Sequence, residues 1–335
     1  MFMPHAPIRV GTSGWNYPTG TGTWNGLFYP LRPDPGSRRR FDELSFYARF
    51  FDTVEVNSTF YRQPSSAMTR RWVERTPAGF EFSVKLYQRL THSMQVGHEA
   101  GARATAPADS SAPPPLPAGT ADDVNGFRAG IAPIAEGGKL GAILVQFPPS
   151  FRASPQTIDY LRWLLGQLHD YQTAVELRHR SWSDRALDTQ AILAEFGAAW
   201  TQIDEPKFRF SIRQDFRANV PGCYYLRLHG RNAKDWWRPE NPEDRYNYLY
   251  SSEELAPLAE AAHAARAGVS KAYAYFNNHF SAKAVVNAAV LKQMLNQPIT
   301  AEFEPELVAA YPELRGIVRE RPSVESGRLP WDTDR

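Results

Sequence analysis

The chain has 335 residues, 42% of them hydrophobic and 22% charged, with 38 Lys and Arg against 36 Asp and Glu. That length can bury a deep apolar core, and a formal net charge of +2 excludes both an acidic disordered chain and a histone-like basic one. The single cysteine, Cys223, excludes an intramolecular disulfide and a multi-thiolate zinc site.

Residues 1–7 carry neither a basic n-region nor an apolar h-region, and no run approaches the ~18 apolar residues of a membrane span. A cytoplasmic protein without membrane contact is expected. The first strand is predicted at 8–12, running into Gly11-Thr12-Ser13-Gly14-Trp15-Asn16-Tyr17, with a helix at 40–51. The second, at 53–57, carries Glu55 and Asn57 and leads into Thr59-Phe60-Tyr61-Arg62 and a helix at 65–75. The third, at 81–86, holds Lys85 and precedes Thr91-His92. From 101 to 120 the chain is Ala, Pro, Ser and Gly with almost no large apolar residue, which predicts a flexible, disordered surface insertion. The fourth strand, at 142–147, carries Gln146. A helix at 154–168 follows, with Ser154 as N-cap, Pro155 at its first position and Ile158, Leu161, Leu165 and Leu168 on one face. The fifth strand, at 174–177, ends in Glu176-Leu177-Arg178-His179 ahead of Trp182 and a helix at 184–196. The sixth, at 199–203, meets Asp204, and the seventh, at 224–228, ends in Arg227-Leu228-His229-Gly230. After a helix at 251–267, the eighth strand at 272–276 ends in Asn277-Asn278-His279, and Ser281 opens a last helix at 282–295.

The strands are near-continuous apolar runs, as expected for parallel strands covered on both faces. Eight of them with intervening helices suit a single-domain (β/α)8 TIM barrel over 1–300, with 301–335 as a C-terminal extension. A doubly wound sheet is the alternative. Gly11-Thr12-Ser13-Gly14 is not the dinucleotide fingerprint, and no phosphate-binding P-loop occurs.

Several of these segments resemble the YecE-like family, a domain of unknown function (DUF72). They are Gly11-Thr12-Ser13-Gly14-Trp15, Trp24-Asn25-Gly26-Leu27-Phe28-Tyr29-Pro30, Val54-Glu55-Val56-Asn57-Ser58-Thr59-Phe60-Tyr61, Val175-Glu176-Leu177-Arg178-His179-Arg180-Ser181-Trp182, Arg227-Leu228-His229-Gly230 and Tyr275-Phe276-Asn277-Asn278. The resemblance implies a TIM barrel and no established activity. A relationship to metal-dependent barrels that cleave DNA at abasic sites is part of what it implies. Where members of the family commonly place an acidic residue and then a glycine after the Asn-Asn pair, this chain has His279 and Ser281-Ala282.

In a TIM barrel, polar residues at the C-terminal strand ends face the active site. Glu176, His229, Glu55 and Lys85 are therefore the candidates for proton transfer and charge stabilisation, against the alternative of structural ion pairs with Arg178 and Arg227. Arg178 and Arg227 are forked donors suited to an anion, and Ser281 would offer free backbone N–H groups at a helix start. Asn57, Trp15, Tyr17, Tyr61, His92, Gln146, His179, Asp204, Asn277 and Asn278 complete the expected substrate-binding set. No metal site is assigned, although Glu55, Glu176, Asp204 and His229 form a divalent-cation ligand set; Lys85, Arg178 and Arg227 oppose it. The leading expectation is an enzyme, of hydrolase or lyase type, acting on a phosphate-bearing or carbohydrate-like substrate by general acid/base chemistry. A nucleic-acid-binding or DNA-processing protein is the first alternative, and a non-catalytic ligand-binding barrel the second. The oligomeric state is open.

Overall fold

A computed structural model of the chain describes residues 7–31, 41–93, 116–237 and 239–322. The strands are β1 (Ile8–Thr12), β2 (Thr53–Val56), β3 (Glu81–Lys85), β4 (Leu140–Gln146), β5 (Thr173–Glu176), β6 (Ala199–Trp200), β7 (Gln202–Asp204), β8 (Cys223–Leu228) and β9 (Lys271–Phe276). They form an α/β fold with two parallel sheets, in the orders β1-β9-β8-β7 and β2-β3-β4-β5-β6. The sheets meet at two places. Ser13, just past β1, bridges Glu55 of β2 in parallel, and Gly14 N–H donates to Glu55 O at 2.8 Å. At the other place β6 and β7 are separated only by Thr201. The strand predicted at 199–203 is thus interrupted. There the Gln214 side chain accepts from Ile203 N–H at 3.0 Å and donates to Thr201 O at 2.8 Å, taking over backbone groups that a neighbouring strand would otherwise pair.

Alternate side chains of each strand go to opposite faces. One face packs on the helices: Val10, Val54, Val56, Phe82, Val84, Ile143, Val145, Val175, Leu226 and Phe276 belong to the main core. The other face builds a second, smaller core from Ala142, Leu144, Ala174, Ala199, Cys223, Tyr225, Tyr273 and Tyr275. Thr53 Oγ1 and Ser83 Oγ lie 2.6 and 2.9 Å from Tyr275 OH, tying the two sheets together across this inner face. Both faces are covered, which is why the strands read as continuous apolar runs.

The helix at Pro155–Gln167, α5 below, follows the sequence reading closely: Ser154 caps it with a reciprocal Thr157 bond, and Leu161, Leu164 and Leu165 are buried. Numbering the preceding helices in chain order, α1 (Glu43–Tyr47), α2 (Ser58–Tyr61) and α3 (Ser66–Glu74) lie before α4 (Ala121–Glu136). The last of these was not expected, because Gly126, Gly130 and Pro133 read as helix breakers. Packing explains Gly130: a Cβ there would stand 2.3 Å from Pro64 O, so only glycine lets α4 approach. Of the segment predicted as an insertion, 101–115 lies outside the described residues. Its end is structured: Pro117 is buried, and Thr120 forms a capping box with Asp123 at the start of α4.

Past β9 the chain departs from expectation again. Ser281 does not open the last helix, Lys283–Met294; it and Ala282 take left-handed φ of 49° and 62°. The Ser281 N–H is spent on Gly22 O at 2.8 Å, so it offers no free donor to an anion. Within the expected extension, Phe303 is buried with its ring 4.7 Å from that of Phe50. Among the described residues, no helix is long and apolar enough to cross a membrane.

Candidate functional site

The C-terminal ends of the strands carry the charged side chains, on the same inner face as the smaller core. Arg227 of β8 is 1% exposed and Glu55 of β2 and Glu176 of β5 are 0% exposed, so each charge must be matched locally. They are. Arg227 Nε and Nη2 donate to the two oxygens of Glu55 at 2.9 and 2.7 Å, and Nη1 donates to Glu176 Oε2 at 2.5 Å. Glu55 also accepts from Ser13 Oγ at 2.7 Å and Tyr225 OH at 2.8 Å, which fills its lone pairs. Glu176 Oε1 takes Arg178 Nε at 2.6 Å. Burial alone would raise the Glu176 carboxyl, but the guanidiniums of Arg178 and Arg227 outweigh it and hold it well below the usual carboxylate range.

His229 lies at the edge of this lattice, fully buried. Arg178 Nη2 and Arg227 Nη1 approach its Nε2 at 3.1 and 3.4 Å, and Glu176 Oε1 lies 3.6 Å from the same nitrogen. The Asn277 amide nitrogen Nδ2 lies 3.0 Å from Nδ1. Burial, reinforced by the two arginines, pushes the imidazole down to about 3, so the ring is neutral at pH 7. The Trp236 ring, itself buried, stands edge-on to it at 6.3 Å.

Lys85 differs. Its Nζ lies 4.1 Å above the Phe60 ring, and among the described residues it makes no hydrogen bond or ion pair. Desolvation lowers it most, Arg227 adds to this, and the amine falls to about 7. His92, next to it in charge space, has its Nδ1 2.9 Å from Thr91 Oγ1 and its ring edge-on to Phe60 at 4.9 Å; burial, then Lys85, press it down to about 3.

Arg178 reaches further, to Glu205 at 3.5 Å. Glu205 follows β7, is 6% exposed, and has an Oε2 without a hydrogen-bond partner; burial raises its carboxyl. Sequence reading passed over Glu205, although its place beside Asp204 at a strand end was a usable signal. It also passed over Tyr225 and Ser13, which share the inner face with Arg227 and Glu55; counting by twos back from Arg227 finds Tyr225.

The remaining candidates divide between the mouth and its supports. Tyr17 donates to Ser13 O at 2.6 Å and stacks on His279 at 4.6 Å. Gln146 sits beside Glu176 in register, and Asn57 has a buried Oδ1 with no partner. Tyr61 is 64% exposed at the rim. Four others are engaged by neighbouring groups of the fold. His179 Nδ1 accepts from Ser181 N–H at 3.1 Å and so caps a helical turn. Asp204 accepts from Arg231 Nε and Nη2 and from Tyr250 OH, all at 2.8 Å. Asn278 Nδ2 lies 2.8 Å from both Tyr248 O and Asn287 Oδ1, and Trp15 packs edge-on against Trp72 at 5.6 Å.

Two consequences follow for ligands. Arg227 is saturated by carboxylates; Arg178, though held by Glu176 and His229, is the more open of the two, its side chain 16% exposed against 1%. The residues that could hold a divalent cation do not fit one, because Glu55, Glu176 and Asp204 direct their oxygens at guanidiniums and hydroxyls and His229 Nε2 faces two arginines. Among the described residues no group of three His, Cys, Asp or Glu side chains converges as a metal-ligand set.

Comparison with known proteins agrees with the motifs. Residues 9–309 match the model for "Protein of unknown function DUF72". The UPF0759 protein YunF of Bacillus subtilis is 28% identical over 296 residues, 86% of this chain and 95% of that protein. The UPF0759 protein YecE of Escherichia coli is 26% identical over 152 residues, 44% of this chain and 46% of that protein. Among solved structures, a DUF72 family protein of Thermotoga maritima superposes with a TM-score of 0.67 at 32% identity, covering 86% of this chain and 99% of that one. A DUF72 family protein of Enterococcus faecalis gives a TM-score of 0.69 at 24% identity, covering 87% and 96%. With a family match over most of its length and inner-face motifs to go with it, the chain belongs to the DUF72 family.

Proposed function

We propose that the two sheets close into a (β/α)8 TIM barrel, with β6 and β7 as one interrupted stave, and that its strand-end mouth is an active site. The Ser13–Glu55 bridge and the shared inner core support the closure. The protein is then an enzyme of hydrolase or lyase type, acting on a small polar, phosphate-bearing or carbohydrate-like substrate by general acid/base chemistry. One observation carries this reading: among the described residues Lys85 is an amine with no acceptor, in a mouth where the neighbouring charges are matched. An amine near neutrality exchanges a proton in either direction at pH 7, which is what a general acid/base must do. Glu176, held ionised, and His229, held neutral, suit positioning and polarising roles better than proton exchange. Glu55 and Arg227 anchor the lattice that places them. Arg178, with one edge toward Glu205, is the group suited to orient an anionic substrate.

The test is a panel of phosphate monoesters, glycosides and lactones assayed with the wild-type protein and with Lys85→Met. General acid/base catalysis typically contributes ~10²–10⁴-fold. A substrate turned over by the wild type and slowed at least 100-fold in Lys85→Met supports the assignment. Turnover kept within about threefold in the variant overturns it.

A further inference from the structure

We infer that Lys85 is a nucleophile and that the mouth takes a small aldehyde or ketone, which it holds as an imine on the Lys85 nitrogen. The inference rests on the active-site reading above and names its substrate class. The other buried or half-buried lysines of the described residues show what a structural lysine needs. Lys139 donates to Val73 O and Thr76 O, both at 2.7 Å, and to Thr76 Oγ1 at 3.0 Å. Lys271 reaches Glu81 at 3.3 Å, Lys292 reaches Asp52 at 3.7 Å, and Lys283 donates to Asn247 Oδ1. Lys85 alone of this group has an aromatic face in place of an oxygen.

The carboxylates that could have paired with it are committed elsewhere. Glu55 is filled by Ser13, Tyr225 and Arg227, and Glu176 is held by Arg178 and Arg227. The groups facing Lys85 are therefore two bound anions, Glu55 from β2 and Glu176 from β5, and two cations, Arg178 beyond β5 and Arg227 from β8. The neutral His92 lies on the turn after β3. Among the described residues Nζ makes no hydrogen bond, and it lies beside an apolar ring. That is the environment that activates a lysine toward carbonyl carbon.

In the step, the lone pair of the neutral amine attacks the carbonyl carbon, a C–N bond forms, and the carbonyl π pair moves to oxygen. A proton passes from nitrogen to that oxygen to give the carbinolamine. The hydroxyl then leaves as water with one proton taken from solvent, and the iminium remains on Lys85. The Phe60 face that now meets the ammonium would meet the iminium cation in the same way.

The experiment uses the wild-type protein with glycolaldehyde as probe, at pH 7, followed by sodium borohydride and peptide mass mapping. An exposed lysine is neutral in only roughly a thousandth or less of molecules at pH 7, and Lys234, which is exposed, is the internal reference. Lys85 is expected to be labelled on the order of 1,000-fold faster than Lys234, given that difference in neutral fraction. The label should vanish from its peptide in Lys85→Met and persist elsewhere. In parallel, the Lys85 Nζ is titrated by heteronuclear NMR. If Lys85 titrates near neutrality yet is labelled no faster than Lys234, the imine inference fails while the acid/base reading stands. If it titrates in the ordinary lysine range near 10, both fail.

Discussion

Arg227 and Lys85 carry like charges within one mouth, yet their surroundings are opposite. Arg227 spends its donors on Glu55 and Glu176, which are themselves completed by Ser13, Tyr225 and Arg178. Lys85 has a ring face and, among the described residues, no acceptor. The difference teaches that burial of charge is not by itself a mark of chemistry. A saturated lattice is a scaffold that resists change, whereas an unmatched amine costs folding free energy and so has to be explained by what it does.

The comparison breaks first, and most visibly, at the lattice. Arg227→Met should leave Glu55 buried without its cation and Glu176 with Arg178 alone, and destabilise the fold by ~3–5 kcal/mol, the usual cost of breaking a buried pair from one side. Urea denaturation measures it; a loss under about 1 kcal/mol would mean that water reaches Glu55 and Glu176. The same logic makes Glu176→Gln destabilising rather than silent, since a 0% exposed carboxylate has no solvent to soften the change.

Acid should reveal the lattice next. The folded pKa of Glu176 lies below its unfolded value. Its contribution is therefore complete above about pH 4.5 and is lost as the pH falls below that, because the unfolded state then binds the proton first. Melts from pH 6 to pH 3 should show a fall in Tm that Glu176→Gln flattens.

Lys85 should respond in the same direction but in a higher pH window, as a growing penalty where Glu176 shows a lost contribution. Its folded pKa, about 7, lies below the unfolded value. The penalty is absent above about pH 10.5, grows as the pH falls toward 7, and is constant below that. Lys85→Met should then raise Tm at pH 7 while abolishing labelling, and the gap should close near pH 10.5. A variant less stable than wild type at pH 7 would place Lys85 with the scaffold.

The smallest effect sharpens the frame around the mouth. Ser281 holds a φ of 49°, a region glycine enters without steric cost. Ser281→Gly should stabilise by about 0.5–1 kcal/mol, read as a raised Tm with unchanged Lys85 labelling.

Much of this was legible in the chain. The apolar strand runs, the Ser154 cap and the strand-end charges follow from local chemistry, and the family motifs made the relationship recognisable. Helix α4 was hidden because Gly126, Gly130 and Pro133 argue locally for a break, and only the closeness of Pro64 gives Gly130 its purpose. Glu205 was hidden because its burial comes from the chain around it and its partner, Arg178, lies 27 positions earlier.

The residue types alone determined that the protein has parallel strands covered on both faces and a polar rim of Glu, Arg, His and Lys at their ends, because hydrophobic patterning and turn chemistry act over a few neighbouring residues. They could not say which arginine meets which glutamate. Arg227 reaches Glu55 across 172 positions and Glu176 across 51, and Lys85 has no pairing to announce. Those matches depend on which strands face one another across the inner core, and it is that tertiary arrangement which divided one set of charges into a saturated lattice and an amine set against a ring face.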